Sequence, residues 1–516
     1  MSKSLVQISY ISLLSLLNSF LNFIFQIILA RIFGASIKTD VFFLAFSIPQ
    51  WVINITLFLM PITVIPTFSG KIALNDERKA WLIINTYITI IIIILSFLIL
   101  LMIIFSNRIT NLVANNLPSN ELPLFKEAFI ILSPIVLIAT LSSIVDGIYY
   151  SYGRYLVPRI APMVQALIMI VGLLLFHNKI GIKSAVYSTL GGSIIRFLVL
   201  AIFLKPKKLR FSLDINDNDV KNMFKIFIPL MISNIFFRSD VVVDRYLASL
   251  LVIGSISYLT YASKVSNIFL RISSLGIATV YFPKFSKAYA KKDNDLINKN
   301  FEDSINLLLF ILFPIVCIVL LFNREILYVL FFSNNFSHID IVNTANAFLL
   351  NFGFYFALPI NTILERIFYS AKKIKVPIIV ELSLVFPSIF LKILLMRKMD
   401  FLGVALGDSI VKVVAIITLF YFLKKEFYFI KFKNILKNTI KLVIASSISI
   451  CLVYLIKNTL RLNYIDISNK TLVVLISFLL SIFLALVYFI ANYILQNRVI
   501  MQYIERKRKI TNDVIK

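Results

Sequence analysis

What most constrains this chain is a succession of apolar runs, each long enough to cross a bilayer. They fall at 8–32, 41–66, 81–106, 127–150, 157–177, 184–204, 225–250, 254–282, 304–323, 345–369, 376–396, 401–423, 437–457 and 470–496. A hydrocarbon core about 30 Å thick needs about 20 helical residues to span it. The runs are continuous rather than alternating, which selects helices over the strands of a closed barrel. Composition removes the soluble alternative. Of the 516 residues, 59% are apolar or aromatic and 15% are charged, with a mean hydropathy of +0.91; a soluble domain has about 45–50% and about 25%. The expectation is an all-α polytopic membrane protein of about 14 transmembrane helices. The first run continues to Ile32, too long for a signal-peptide core and without a small-x-small cleavage site, so it is expected to stay as the first helix.

The net charge of +27, from 52 Lys and Arg against 25 Asp and Glu, would suggest nucleic acid in a soluble protein. In a membrane protein it follows from the collection of Lys and Arg in cytoplasmic loops. With the amino terminus inside, the cytoplasmic pieces hold Lys205, Lys207, Lys208 and Arg210, then Lys284, Lys287, Lys291 and Lys292, then Lys424, Lys425, Lys431 and Lys433, and the tail run Arg506–Lys509. The other side holds far fewer. Both termini are therefore expected in the cytoplasm, and the tail reads first as an ordinary positive-inside segment and second as an anionic-lipid contact. The two cysteines, Cys317 and Cys451, lie inside apolar runs, and the two histidines, His177 and His338, stand far apart at span edges. Neither a disulfide framework nor a metal site is expected.

The chain also repeats itself. Ile148–Pro158 (IYYSYGRYLVP) resembles Ile367–Pro377 (IFYSAKKIKVP), Pro66–Ser69 matches Pro283–Ser286, and Leu190–Arg196 matches Leu406–Lys412, at offsets of 219, 217 and 216. Three matches in order at nearly one offset predict two six-helix lobes related by an axis along the membrane normal, as in parallel-repeat transporters. The expected divisions are 1–210 and 211–430 for the lobes, 431–496 for two extra helices and 497–516 for a basic cytoplasmic tail.

Charges inside spans are costly and usually face a cavity or a partner. The seventh run carries Arg238, Asp240, Asp244 and Arg245, and the eighth Lys264 and Arg271; Asp146, Glu365, Arg366, Glu381, Lys392 and Asp408 lie in others. Arg238, Lys264 and Arg271 read as an anion-binding wall, because guanidinium grips phosphate bidentately and ammonium acts as a point charge. The competing reading is internal pairing among Arg238, Asp240 and Asp244. Arg31, Asp40, Arg196 and Lys412 are placed near span ends, where snorkelling accounts for charge. No phosphate-binding loop, zinc-protease motif, nucleophile elbow or potassium filter occurs. No enzyme, cofactor or nucleotide is therefore expected, and energy would come from a Na+ or H+ gradient or the membrane potential.

Several segments resemble the MurJ/MviN family. They are Ala30-Arg-Ile-Phe-Gly-Ala35, Thr39–Phe46, Val243-Asp-Arg-Tyr-Leu-Ala-Ser249, Gly254-Ser-Ile-Ser257, Tyr261-Ala262, Gly276–Val280, Arg366–Tyr369 and Val376-Pro377. That family lies in a superfamily of multidrug, oligosaccharidyl-lipid and polysaccharide exporters. The resemblance implies a multi-pass flippase in the bilayer of the bacterial cytoplasmic membrane, working on an undecaprenyl-pyrophosphate-linked glycan lipid by alternating access, as a monomer and with no nucleic acid or nucleotide as partner. It implies a cavity lined by Arg238, Lys264, Arg271, Asp40 and Arg31, with Asp244, Asp240, Arg245 and Lys392 in ion coupling or charge pairing. Lys264 stands where the family usually has a cavity arginine, and Asp244 where some members bind sodium. Lys392 falls where sodium-binding members have a polar or acidic residue; a lysine there would disfavour sodium and could pair with Asp244. Ser19, Phe25 and Ile53 replace arginines of typical lipid II flippases, so lipid II and another glycan, such as an O-antigen or capsule unit, both stay open. A cation-coupled drug exporter is the alternative from the same superfamily, and a scaffold that recruits glycan enzymes is a third reading.

Overall fold

The computed structural model describes residues 3–204, 210–459 and 470–505, and gives only the backbone at 3–12, 270–276, 278, 279 and 470. Seventeen helices are described. In chain order they are α1 (Lys3–Phe33), α2 (Ile37–Ala73), α3 (Glu77–Ile104), α4 (Ser106–Val113), α5 (Leu122–Leu132), α6 (Ile135–Ser151), α7 (Leu156–Ile180), α8 (Lys183–Phe203), α9 (Asn218–Phe237), α10 (Asp240–Ser249), α11 (Ser255–Ala290), α12 (Asn294–Phe331), α13 (His338–Ser370), α14 (Lys375–Met399), α15 (Phe401–Glu426), α16 (Lys433–Thr459) and α17 (Lys470–Ile494). The fourth expected run is α5 with α6, the seventh is α9 with α10, and α4 is a short extra piece. Thirteen of the described segments are long and apolar enough to cross a membrane. The remaining expected span is α11, 36 residues long, part of which lies outside the residues whose side chains are described.

The internal repeat is written into the backbone where sequence identity has gone. α2 and α11 run 37 and 36 residues and end on Ala73 and Ala290. Two residues on, Asn75 and Lys292 take positive φ of 59° and 53°. Asp76 and Asp293 follow, and their carboxylates cap the next helices by accepting Lys79 N–H and Leu296 N–H at 3.0 and 2.9 Å. Gly153 and Lys372 (φ 69° and 60°) and Gly181 and Asp400 (φ 59° and 50°) are two more matched pairs. α7 and α14, between those turns, are both 25 residues long.

The chain forms two compact units, Met1–Thr260 with Ser333–Phe336, and Tyr261–Phe332 with Ser337–Lys516. The division between these units falls inside α11. In the first unit α2 packs on α5, α6, α9 and α10, α1 on α7, and α7 on α8. α9 and α10 join this unit because both pack directly on α2. The repeat fixes the order of duplicated helices but not which neighbour each one packs against. In the second unit α15 packs on α13 and α14, and α12 on α13, α16 and α17.

Small residues let these helices approach, as expected where lipid supplies no hydrophobic drive between them. A Cβ on Gly172 would lie 2.8 Å from Ser188 Cβ, and one on Gly353 2.8 Å from Ser409 Cβ. Polar side chains then join α16 and the segment after α17 to α12. Asn438 donates to Asn306 at 3.0 Å, Asn434 to Glu302 at 3.2 Å, and Arg498 binds Glu302 and Asp303. α12 kinks at Phe322 (φ −124°, ψ 17°). Lys457 of α16 covers that kink, bonding Leu321 O at 3.0 Å and Glu325 at 2.5 Å.

Candidate functional site: charged groups inside the spans

The seventh run breaks at its charges. α9 stops at Phe237, Arg238 and Ser239 form the turn, and α10 begins at Asp240. No proline or glycine stands at the break. Instead Ser239 N–H turns back to Phe236 O at 3.2 Å, and the Trp51 indole N–H of α2 fills Ile235 O at 3.1 Å. The signs suit the two half-helices. A cation sits at the negative C-terminal end of α9 and an acid in the first turn of α10, each favourable to the local dipole.

Both arginines of the run lean on α2. The Arg238 guanidinium lies 5.3 Å from the Phe58 ring centroid, and Arg245 donates to Phe43 O at 3.0 Å with its guanidinium 5.9 Å from the Phe43 ring. Cations over aromatic faces gain from the ring quadrupole, more so when poorly hydrated. Phe43 and Phe58 are fifteen residues apart in sequence, about 22 Å along a helix. The two arginines therefore mark different depths of α2 and do not form one cluster. Asp240 is exposed and Asp244 half-buried; both act electrostatically on Arg245.

Asp40 is 3% exposed. Its carboxylate accepts Gly254 N–H at 2.6 Å, Ser257 N–H at 2.8 Å and Ser257 O–H at 2.6 Å, and Ser257 O–H also lies 2.9 Å from Thr39 Oγ1. This is a side-chain cap on the start of α11, reaching 217 residues along the chain. The Thr39-Asp40 and Gly254-Ser-Ile-Ser257 segments thus form one clasp, and Asp40 is engaged in it rather than turned to an open path. Arg31 is exposed at the end of α1. The carbonyls of Arg31 and Ile32 accept Ser333 Oγ–H (2.9 Å) and Asn335 Nδ2–H (2.7 Å), and a Cβ on Gly34 would lie 2.0 Å from Asn335 O. Lys264 is exposed on α11, and the Arg271 side chain lies outside the described residues.

The second unit holds two buried charge networks. Lys392 of α14 is 2% exposed and pairs with Asp408 of α15. Its stem runs where Gly407 has no side chain, since a Cβ there would lie 2.7 Å from Lys392 Cγ. One turn further along α15, Lys412 pairs with Glu381 of α14 at 2.7 Å. Asn361 Nδ2 of α13 donates to Glu381 at 3.1 Å and to Glu365, on its own helix, at 2.7 Å. The first unit has a counterpart, Arg196 of α8 on Asp146 of α6 at 2.9 Å, with Arg159 of α7 adding its charge. Snorkelling was the expectation for Arg196 and Lys412. Both instead sit well inside their helices on carboxylates, because partners from neighbouring helices are nearer than water. Sequence reasoning missed Arg159 and Asn361. The signal for the second was present, an Asn four residues before a Glu on one helix face.

A cavity of about 310 Å³ lies apart from these networks, where the first turns of α3 and α9 meet. Arg78 and Lys79 share it with Asp76, Asp214 and Asp217, so its charges largely cancel.

An all-helical bundle with breaks, kinks and buried charges inside its spans, built on a repeat, is the architecture of a membrane transporter. A solved lipid II flippase MurJ in an inward closed conformation shares the fold, with a TM-score of 0.81 at 22% identity over 95% of this chain and 99% of that one. An inward-facing multidrug MATE transporter is more distant, at 0.68 and 15% over 80% and 94%. The family model described as lipid II flippase MurJ matches residues 29–475, and the chain belongs to that family. Among its relatives, the probable lipid II flippase MurJ of Borreliella burgdorferi is 25% identical over 437 residues, 83% of this chain and 84% of that protein. That of Aquifex aeolicus is 26% identical over 473 residues, 88% and 89% of the two chains.

Proposed function

We propose that this chain carries lipid II, the lipid-linked peptidoglycan precursor, from the cytoplasmic to the outer face of the bacterial cytoplasmic membrane by alternating access. Membership of the lipid II flippase family across residues 29–475 carries the reading and favours it over drug export. The physics supports it as well. A pyrophosphate head cannot enter about 30 Å of hydrocarbon without a path that replaces its water. Arg238 at the α9–α10 break supplies such a group inside a span, and Lys264 and Arg271 are further cations proposed for the same path, with Arg31 at its edge. Asp240 balances the charge of Arg238 and, with Asp244, that of Arg245, whereas Lys392 serves in charge pairing with Asp408. Asp40 acts through α11 as a positioning residue. The protein works as a monomer with both termini in the cytoplasm, uses no nucleotide and performs no covalent chemistry. An ion gradient or the membrane potential drives it.

Depletion followed by mass spectrometry of undecaprenyl-linked lipids tests the substrate. Lipid II trapped on the cytoplasmic face is the expected result. Accumulation of another glycan in its place would make that glycan the substrate. No accumulation in a host without a second flippase would refute the flippase reading. Arg238→Ala and Lys264→Ala, in stably inserted protein, are expected to reduce flipping at least tenfold; full activity would remove that residue from the path.

A further inference from the structure

Asn361 is 1% exposed, and its amide lies between two carboxylates. Nδ2 donates to Glu365 at 2.7 Å and to Glu381 at 3.1 Å, while the buried Oδ1 of the same amide has no hydrogen-bond partner. A buried acceptor without a donor costs free energy that is recovered when a donor arrives. The geometry points to the missing donor. A carboxylic acid and a carboxamide pair in a ring, the amide N–H donating to one acid oxygen and the acid O–H to the amide oxygen. The Asn361–Glu365 contact is one half of that ring, and a protonated acid supplies the other half.

We propose that Glu365, Asn361, Glu381 and Lys412 form a proton-binding site inside the second unit, with the proton carried on Glu365. The proton comes from hydronium, leaves water behind and turns one carboxylate into an acid. Lys412 neutralises Glu381 at 2.7 Å, which leaves Glu365 as the carboxylate to be neutralised. Among the charged groups facing Glu365, the Glu381 carboxylate repels a second negative charge, whereas Lys412 and Arg366 attract one, so burial and Glu381 together must outweigh the two cations. Lys412 faces from α15 and Glu381 from α14, and Arg366 and Tyr369 lie on the helix of Glu365. The Arg366 guanidinium is stacked over the Phe282 ring of α11 at 5.2 Å and the Tyr369 ring at 6.0 Å. Asp408, one turn from Lys412, is held by Lys392. The amide presents its N–H side to both carboxylates, which suits a proton; a metal ion would need the oxygen side there.

The site lies about 8 Å, or five residues, from the end of α13 and about 9 Å from the start of α14, within reach of the aqueous face. Its occupancy sets the fit of α13, α14 and α15. That it couples transport to a proton gradient rests on the flippase reading; the proton site itself does not.

The test is an infrared pH titration of the full chain in lipid nanodiscs without substrate, following the C=O stretch of protonated carboxyl groups. An acid band that titrates well above the usual glutamate range near 4.3 is expected. Glu365→Gln, which copies the protonated shape, should remove the Glu365 part of it. Asn361→Leu keeps the carboxyl and should move the band to the frequency of an acid without an amide partner. No acid band titrating above the usual glutamate range in the wild type, or a band unaffected by both substitutions, overturns the proposal. Loss of the band on adding Na+ at constant pH would make this a metal-cation site and also overturn it. Because no lipid II is present, this result stands or falls independently of the depletion experiment.

Discussion

Replacing Asp40 should cost more than any other single change at the start of α2. Its carboxylate accepts three hydrogen bonds at 2.6–2.8 Å, two from backbone N–H groups at the start of α11. Bonds to an ionised acceptor contribute about 1.5–3 kcal/mol each, and an acid at a helix N-terminus adds about 0.3–1 kcal/mol, up to about 2 when buried. Against this stands the cost of burying a charge, several kcal/mol even after relaxation. The net loss for Asp40→Ala is therefore about 3–5 kcal/mol, because two buried N–H groups are left without an acceptor. Asp40→Asn keeps one acceptor oxygen but turns an NH2 toward a donor, and should cost about 2–3 kcal/mol by the same arithmetic. The assay is thermal unfolding of purified protein in detergent, with limited proteolysis read at the 250–260 segment. The expected order is wild type, then Asp40→Asn, then Asp40→Ala, with new cleavage near Gly254. Ser257→Ala should lose part of the same stability and be non-additive with Asp40→Ala. If Asp40→Asn unfolds at the wild-type temperature and leaves the segment protected, the clasp does not hold α11 and the reasoning fails.

Other substitutions test other parts of the scaffold. Asp400 holds φ 50°, ψ −139° where its repeat partner Gly181 holds φ 59°, ψ −140°. Asp400→Gly should stabilise by about 1 kcal/mol, read as a raised unfolding midpoint; a lowered one would show that the aspartate compensates its strain. Gly407→Ala should destabilise by about 1–3 kcal/mol through overpacking against Lys392, and unchanged stability would refute the close fit. Arg196→Met leaves Asp146 buried beside only Arg159 and should cost about 3–5 kcal/mol, a loss that Asp146→Leu in the same chain should partly restore. Lys457→Met should loosen α16 from the Phe322 kink, checked by faster hydrogen exchange at 318–326.

Much of this fold was legible because membrane helices announce themselves by length and hydropathy, and because three short matches exposed the repeat. The turns at Gly153 and Lys372, or Gly181 and Asp400, show how far the repeat extends beyond its identities. Three things were not legible. The break at Arg238 has no helix-breaking residue, and depends on Trp51, nearly two hundred residues away, taking Ile235 O. Asp40 matched a family acid, but sequence alone gave no reason to choose a cap over a cavity wall; the start signal Gly254-Ser255 lies 214 residues on. The partners of Lys392, Lys412 and Arg196 stand on neighbouring helices, so spacing along one helix could not reveal them. Charge in a span is easy to find, whereas its partner is a property of packing.

The two repeats carry the same polar register with opposite balance. Asp146 and Glu365 are 219 residues apart, and Arg196 and Lys412 are 216 apart, so the acid of the fourth or tenth span and the base of the sixth or twelfth are duplicated features. The residue that differs lies on the helix between them. α7 contributes Arg159, making one acid and two guanidiniums, whereas α14 contributes Glu381, making two acids and one ammonium. At the 219 offset these positions lie three residues apart, one helical turn, and so face the same side. Glu381→Arg would give the second unit the composition of the first. A half-exposed position on α14 has room for the longer side chain, so the protein should still fold. Glu365 would then stand between two cations, and its acid band should fall back to the usual glutamate range although Glu365 itself is untouched. A band unmoved by Glu381→Arg would mean that something other than the balance of these three residues decides where the proton sits.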